Sequence, residues 1–204
     1  MSPRPLLAIL VGAAIFVAPF IAGAAGAQMQ SESYKFLQAV REAKGNDVIA
    51  MVDRPGSQII NARDITSGEG ALHIVVKRGD KTYTTYLLQK GANPNLRDGR
   101  GNTSLLLAVT GGHAELVPVL IAGKANVNLG NGAGETPLIL AVQRRDVAMA
   151  RALLAAGADP DQTDNNAGMS ARDYARRDAR NPALAKLLEE APKRTGRAAA
   201  GPRL

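Results

Sequence analysis

The histidines of this chain, which are the residues that most often perform acid–base catalysis, are few and are not grouped. The 204-residue sequence contains two histidines, His73 and His113, and no cysteine. A catalytic histidine needs a nucleophile or an orienting carboxylate within reach, and the sequence pairs neither histidine with such a partner. The absence of cysteine excludes a thiolate nucleophile, a thiolate metal site and a disulfide framework. We therefore predict a protein that is not an enzyme and that needs no cofactor.

Two short segments resemble ligand sites by composition. Asp159, Asp161 and Asp164 alternate as calcium ligands do, but the glycine and the closing glutamate of a calcium loop are out of place. Residues 130–134 are rich in glycine, as phosphate-binding loops are, yet no Lys-Ser/Thr pair follows them. Asparagine, aspartate and glycine are also the residues that tight turns favour. We expect both segments to be turns and predict no metal site.

A repeat of 33 residues organises the part of the chain that contains these segments. Residues 101–109, GNTSLLLAV, return as residues 134–142, GETPLILAV. Leu72, Leu105 and Leu138 occupy equivalent places in successive copies. Self-similarity at this period is typical of arrays in which each unit buries its apolar face against its neighbours.

Each copy predicts a pair of helices. Thr136 can cap the first helix, and Pro137 at the first helical position loses no useful hydrogen bond. Gly91 and Gly157 follow the second helix of their copies, where a residue with left-handed backbone conformation is favoured. The copy between them has Lys124 at this position, so the sequence leaves the local turn geometry open.

The pattern resembles the ankyrin repeat family. Residues 136–138, TPL, match the Thr-Pro-Leu-His hallmark, and residues 87–92 and 153–158 match its closing Leu-Leu-x-x-Gly-Ala. The resemblance implies an all-α ankyrin repeat solenoid of helix–turn–helix units joined by β-turn fingers. His73 and His113 stand where this family often has histidine, which implies that their ring nitrogens bridge backbone groups of the turns.

The resemblance covers residues 34–191 and divides them into five units. In chain order the units are 34–64, 65–97, 98–130, 131–163 and 164–191. The first and last units are degenerate and are expected to act as caps. The last unit has one extra residue near Asn165, and Arg172 replaces its core leucine, which fits an end repeat that no neighbour covers. Residues 81–86 are rich in β-formers, but the repeat register predicts a helix.

The N-terminal residues 1–27 have the pattern of a secretory signal peptide. Arg4 is the only charged residue, and an apolar run is followed by Ala-Gly-Ala, with cleavage expected after Ala27. A short polar segment, residues 28–33, then leads into the first repeat, and we expect a periplasmic or secreted protein. The alternative is an inner-membrane anchor, because residues 5–31 are uncharged and long enough to span a bilayer.

The net charge of +7 is concentrated near the C-terminus. Residues 31–164 carry 15 Lys or Arg against 14 Asp or Glu, whereas residues 165–204 carry 9 against 4. The repeat array lacks the basic excess that nucleic-acid binding requires, so we predict no specific nucleic-acid partner. Residues 192–204 combine basic residues with Gly, Ala and Pro, and we expect a disordered basic tail.

Non-catalytic protein binding through the concave face and the finger loops is the function that the resemblance implies, although a fold alone names no partner. Aligning the exposed ends of the first helices predicts a row of cations, to which one finger adds two more. The candidates are Arg41, Lys77, Arg78, Arg144 and Arg177 in the row, with Arg97 and Arg100 on the finger. We expect a monomer that binds an acidic protein surface.

Three alternatives to this function stay open at the sequence level. A cation near a helix C-terminus stabilises that helix by ~0.3–1 kcal/mol without any partner. Retention of the N-terminal segment would give a membrane-tethered scaffold, and an enzyme with an unrecognised site is the third alternative.

Overall fold

The computed structural model describes the backbone of residues 22–178 and 180–192, with side chains from residue 32 onward in these ranges. The helices are α1 (Ala22–Arg41), α2 (Gly45–Val52), α3 (Ala71–Lys77), α4 (Lys81–Gln89), α5 (Ser104–Gly111), α6 (Val117–Ala122), α7 (Pro137–Gln143), α8 (Val147–Ala155), α9 (Ala171–Arg177) and α10 (Pro182–Glu190). A short 3-10 helix, Ile59–Asn61, follows α2. Within the described ranges, β-type pairing is limited to isolated bridges, so the predicted all-α class is confirmed.

The predictions for the two termini fall largely outside this part of the chain. Most of the expected signal peptide and residues 193–204 of the expected tail lie outside the described residues. Residues 28–33, predicted as a polar segment ahead of the first repeat, are helical and belong to α1. No helix in the described part of the chain has both the length and the apolar content that crossing a membrane requires.

The helices form two layers. Each odd-numbered helix packs against the even-numbered helix that follows it, and α1, α3, α5, α7 and α9 also pack side by side in chain order. We call these five the inner helices and the even-numbered ones the outer helices. The inner helices are in closer contact with one another than the outer helices are, so the array curves with the inner helices on its concave side. Residues 81–86 lie in α4, as the repeat register predicts.

Apolar residues at equivalent positions build one continuous core. Leu72, Leu105 and Leu138 are all buried at the start of their inner helices. Ala108 and Ala141 are fully buried where inner helices meet, and their small size permits the close approach. Each unit therefore covers the apolar surface of its neighbour, which is how a repeat array gains its stability.

Side-chain caps and left-handed residues set the helix limits. The Thr136 hydroxyl accepts a hydrogen bond from the Ile139 N–H at 3.2 Å, as predicted, and Thr103 caps α5 in the same way. Lys124 has a φ of 68° and so occupies the left-handed region at the position where Gly91 and Gly157 both have a φ of 88°. The turn geometry is thus the same in all three copies, although lysine adopts it at a cost that glycine does not have.

The fingers are narrow turns that are joined to one another by backbone hydrogen bonds. The N–H groups of Gly99, Gly132 and Asn165 donate to the carbonyls of Ser67, Arg100 and Ala133 at 2.8, 3.0 and 2.8 Å. A Cβ at Gly132 would lie 2.9 Å from the Arg100 carbonyl oxygen, so this contact needs glycine. Residues 130–134 therefore form a finger, in agreement with the turn prediction.

Aspartate anchors the finger of the last unit. The Asp164 carboxylate accepts the N–H groups of Asn166, Ala167 and Gly168, and the Tyr174 hydroxyl donates to it at 2.5 Å. The backbone bond that closes this finger, from Asp164 N–H to the Met169 carbonyl, spans one residue more than its equivalent in the preceding finger. This is the extra residue predicted from the sequence spacing. Among the described residues, no group of three or more His, Asp or Glu side chains is placed to hold a metal ion.

Three asparagines connect the first four units in series. The side-chain amides of Asn61, Asn95 and Asn128 donate to carbonyls at the ends of the next outer helices, and their oxygens accept backbone N–H groups there. For Asn128 these distances are 3.2 Å to the Gly157 carbonyl and 2.7 Å to the Asp159 N–H. The equivalent residue of the following unit is Asp161, which binds Arg172 instead.

Arg172 is buried, which differs from the expectation of an uncovered end position. Its side chain is only 4% exposed, because the C-terminal end of α10 folds over it. The guanidinium donates to the Asp161 carboxylate at 2.6 Å and to the carbonyls of Leu188, Ala191 and Pro192. The position of the core leucine is therefore filled by a cation whose hydrogen-bonding groups are engaged within the last unit and at its boundary.

Candidate protein-binding surface

The C-terminal ends of the inner helices lie side by side and carry the predicted row of cations. Arg41, Lys77 and Arg177 are the last residues of α1, α3 and α9, while Arg78 and Arg144 directly follow α3 and α7. All five are exposed, and the stacking of the inner helices brings their ends to one edge of the concave side. The structure thus supports the predicted alignment of these residues, although not in itself their role.

Three residues of the row already have a carboxylate partner within the chain. The Arg41 guanidinium donates to Asp64 at 2.8 Å, the Lys77 ammonium contacts Glu69, and Arg78 donates to Asp80 at 3.0 Å. Each partner lies on a finger or at the start of an outer helix, so these pairs link the inner-helix ends to neighbouring elements. Exposed pairs of this kind contribute at most about 1 kcal/mol each.

Two of these cations also bridge adjacent units. Arg78 reaches back to the first unit, where its Nη1 donates to the Val40 carbonyl at 3.1 Å near the C-terminus of α1. Arg41 reaches Asp64 at the boundary between the first and second units, where the finger that leads into α3 begins. Hydrogen bonds from the Ser67 N–H, the Arg41 guanidinium and the Thr66 N–H hold the pKa of Asp64 well below its ordinary value. The Asp64 carboxylate is therefore charged at neutral pH. The contacts of both bridging cations support the structural alternative for their positions.

The other four candidates have no carboxylate partner among the described residues. Arg97 and Arg100 are exposed on either side of Asp98. The Arg97 carbonyl accepts a hydrogen bond from the Arg63 side chain, and the Arg100 carbonyl accepts one from the Gly132 N–H. The Arg177 guanidinium contacts the Met169 sulfur at 3.0 Å. The Arg144 guanidinium lies beside Gly112 at the end of α5, where a Cβ would be 3.1 Å from its Nη2. These four charges are not neutralised by an ion pair within this part of the chain.

The two histidines have different surroundings. The His73 ring is buried, accepts the Gly70 N–H at Nδ1 over 2.9 Å, and has Nε2 3.1 Å from the carbonyls of Leu96 and Asn102. Burial lowers the pKa of His73, and a neutral ring with its proton on Nε2 satisfies all three contacts. The predicted bridging of turn backbone groups is confirmed for this residue.

His113 does not follow the same prediction. Its ring packs against Gly79 and Gly111, and its Nδ1 lies 3.8 Å from a Glu115 carboxylate oxygen. Among the described residues its ring makes no hydrogen bond to a backbone group. The two glycines leave the space that the imidazole fills, since a Cβ at Gly111 would lie 2.6 Å from its Cδ2.

A cavity of about 610 Å³ opens at the first unit, between the middle of α1 and the segment that begins at the end of α2. Its charged lining residues are Glu32, Lys35 and Arg54, with the Glu32 and Arg54 side chains 3.5 Å apart. None of the seven candidate cations lines this cavity.

Comparison with known proteins agrees with this architecture. The family model for ankyrin repeats in three copies matches residues 37–131 and, offset by about one unit, residues 72–164. A putative ankyrin repeat-containing protein of Treponema pallidum (strain Nichols) is 31% identical over 152 residues, which cover 69% of this chain and 40% of that protein. The chain thus spans less than half the length of this relative. Ankyrin repeats are generally protein-interaction modules, and the chain belongs to the ankyrin repeat family.

Proposed function

We propose that this protein is a non-catalytic binding module that engages an acidic protein surface through its concave face and finger loops. The observation that carries the proposal is the division of the candidate cations into two sets. Arg41, Lys77 and Arg78 are engaged by internal carboxylates. The other four, Arg97, Arg100, Arg144 and Arg177, have no such partner among the described residues. The second set is therefore available to the carboxylates of a partner.

The electrostatic role of these residues is expected to show in the rate of association. Charges at the rim of an interface steer the encounter of two proteins and select against partners of like charge. A partner with acidic residues opposite the third and fourth units would bind faster at low ionic strength, because salt screens exposed charges over about 10 Å at 0.1 M. Low aromatic content, with 3% Phe and Tyr, favours moderate rather than very tight affinity.

The test is affinity capture with matched charge reversals. The purified full chain is immobilised and exposed to an extract of the source organism, alongside the variants R97E/R100E/R144E and K81E/R151E/K186E. Both variants change the net charge equally, but the second places the changes on outer helices. We expect an acidic protein to be captured by the wild type and the outer-helix variant and to be lost with the first variant. Equal capture by all three proteins would contradict the proposal.

We also propose that the array works outside the cytoplasm after removal of residues 1–27. Support comes from the signal-like sequence of these residues. Cleavage after Ala27 would shorten α1, which begins at Ala22, by its first six residues and leave the buried Phe36 and Leu37 in place. N-terminal sequencing of the protein from its host should begin at Gln28. An uncut N-terminus in the membrane fraction would instead favour the membrane-tethered scaffold.

A further inference from the structure

The exposed face of each inner helix consists of residues spaced three and four apart. In α5 these are Leu107, Thr110 and Gly111, of which Leu107 is half-buried and the other two are exposed. Residues at this spacing lie on one side of a helix. The same side of the array therefore presents the equivalent residues of α3 and α7.

A short apolar strip runs across this side of the array. Ile74, Leu107 and Leu140 occupy equivalent positions on α3, α5 and α7, and all three are half-buried. The strip ends at Gln38 in the first unit, which hydrogen-bonds Glu42, and at Tyr174 in the last unit, whose hydroxyl is bound to Asp164. Its apolar part is thus limited to the three central units.

The middle of the strip is free of charge and has little unsatisfied polarity. The Thr110 hydroxyl donates to the Leu106 carbonyl at 2.8 Å. A ligand group that covers Thr110 therefore does not remove a water molecule from this hydroxyl proton. Gly111 has no side chain that could project above Leu107, and the His113 ring fills the space that a larger side chain at this position would need. Burial of an apolar group here carries a small desolvation cost.

Charged groups border this uncharged centre unequally. On the side of the second unit, Lys77 and Arg78 are engaged by Glu69 and Asp80. On the side of the fourth unit, the Arg144 guanidinium lies beside Gly112 at the end of α5 and has no carboxylate partner among the described residues. Glu135, the acid at the base of the finger that precedes α7, accepts a hydrogen bond from the Asn131 side chain at 2.8 Å.

We infer that the centre of the concave face is an anchor point for an acidic peptide segment of the partner, which places an apolar side chain on Leu107 and a carboxylate on Arg144. This rests on the proposed function and specifies the chemistry of the partner. The apolar contact supplies the burial, and the ion pair fixes the direction of the segment across the third and fourth units. The occupant follows from charge complementarity, since Arg144 is the unneutralised charge beside the apolar surface.

The test uses a displayed library of random 12-residue peptides as the probe. The library is selected on the full chain, and the affinities of the recovered peptides are then measured against single variants. Leu107→Thr and Arg144→Gln alter the proposed anchor point. Leu154→Thr and Arg151→Gln are matched controls on α8, where Leu154 is likewise half-buried and Arg151 likewise exposed. Thermal unfolding of each variant checks the fold, and Arg144→Gln changes only an exposed side chain.

We expect the recovered peptides to combine an apolar residue with a nearby Asp or Glu. Their affinity should fall at least tenfold with Leu107→Thr and about threefold with Arg144→Gln, and should change less than twofold with the α8 controls. Peptides that bind all variants equally would overturn the anchor point while leaving the proposed binding function in place. A selection that enriches no peptide would count against both.

Discussion

Replacement of Arg172 by alanine is expected to release the last helix and to lower the free energy of unfolding by about 3 kcal/mol. Removing one member of a buried ion pair costs ~3–5 kcal/mol when the other member stays unpaired. Asp161 is 40% exposed and can be solvated, which reduces this value. The carbonyls of Leu188 and Ala191 lose a donor, and each buried acceptor left unpaired adds about 1–3 kcal/mol unless water enters.

Two further variants separate the charge from the volume of this side chain. Arg172→Leu restores the residue type of the other units and should cost about 1–2 kcal/mol less than alanine, because it fills the site with apolar volume. Asp161→Asn keeps a hydrogen-bond acceptor and removes the charge, and should cost about 1 kcal/mol. The expected order of destabilisation is therefore R172A, then R172L, then D161N.

The assay combines urea denaturation with hydrogen exchange of α9 and α10. In a repeat array each unit contacts only its neighbours, so the loss should appear first at the C-terminal end. With R172A, exchange of the α10 amides should accelerate by roughly a hundredfold, since each 1.4 kcal/mol corresponds to a factor of ten. Unchanged exchange in α10, or a loss of protection confined to α1 to α4, would refute the reasoning.

Three other predictions concern a titrating side chain, a turn and a connection between units. Acidification should destabilise the protein through His73, because burial lowers the pKa of this residue. The unfolded chain gains a proton near pH 6.5, whereas the folded ring stays neutral. The contribution of His73 to stability is therefore complete above this pH and is lost as the pH falls through it. Urea titrations at pH 7.5 and 5.5 should show this loss in the wild type and in a His113→Gln control, and it should be reduced in His73→Leu. Lys124→Gly should raise the free energy of unfolding by about 1 kcal/mol, because it relieves a left-handed lysine, and a lowered melting temperature would contradict this. Asn128→Ala should cost about 1 kcal/mol in the same measurement, since its amide joins two units, whereas Asn166→Ala on an exposed turn should have little effect.

Much of the fold was accessible from spacing alone. The leucines at 72, 105 and 138 are equivalent because a constant period places each at the start of an inner helix, and all three are buried as predicted. Thr136 followed by Pro137 marks a helix start by local geometry, which does not depend on the rest of the fold. Even the β-formers of residues 81–86 are helical, because packing in the repeat outweighs the local preference.

The burial of Arg172 was not accessible in this way. A charged residue at the leucine position of a terminal unit predicts a solvent-exposed side chain, because the sequence shows no neighbouring unit that would cover it. The structure instead covers it with carbonyls at the C-terminal end of α10 and directly after it, 16 to 20 residues away, and with Asp161. The sequence does contain one indication of this burial. Asp161 interrupts the series of asparagines at positions 61, 95 and 128, and it supplies the carboxylate that a buried guanidinium needs.

The sequence by itself determined the repeat period, the helix pairs, the turn positions and the presence of cations at the ends of the inner helices. These follow from periodicity and local backbone preferences, which act over a few residues and recur in each unit. Only the tertiary structure decided which of those cations is already engaged. Arg41 contacts Asp64, 23 residues away at the boundary between the first and second units, and Arg78 contacts Val40, 38 residues away in the first unit. The stacking of the units and the directions of the side chains select such partners. The alignment of equivalent positions in the sequence contains neither kind of information.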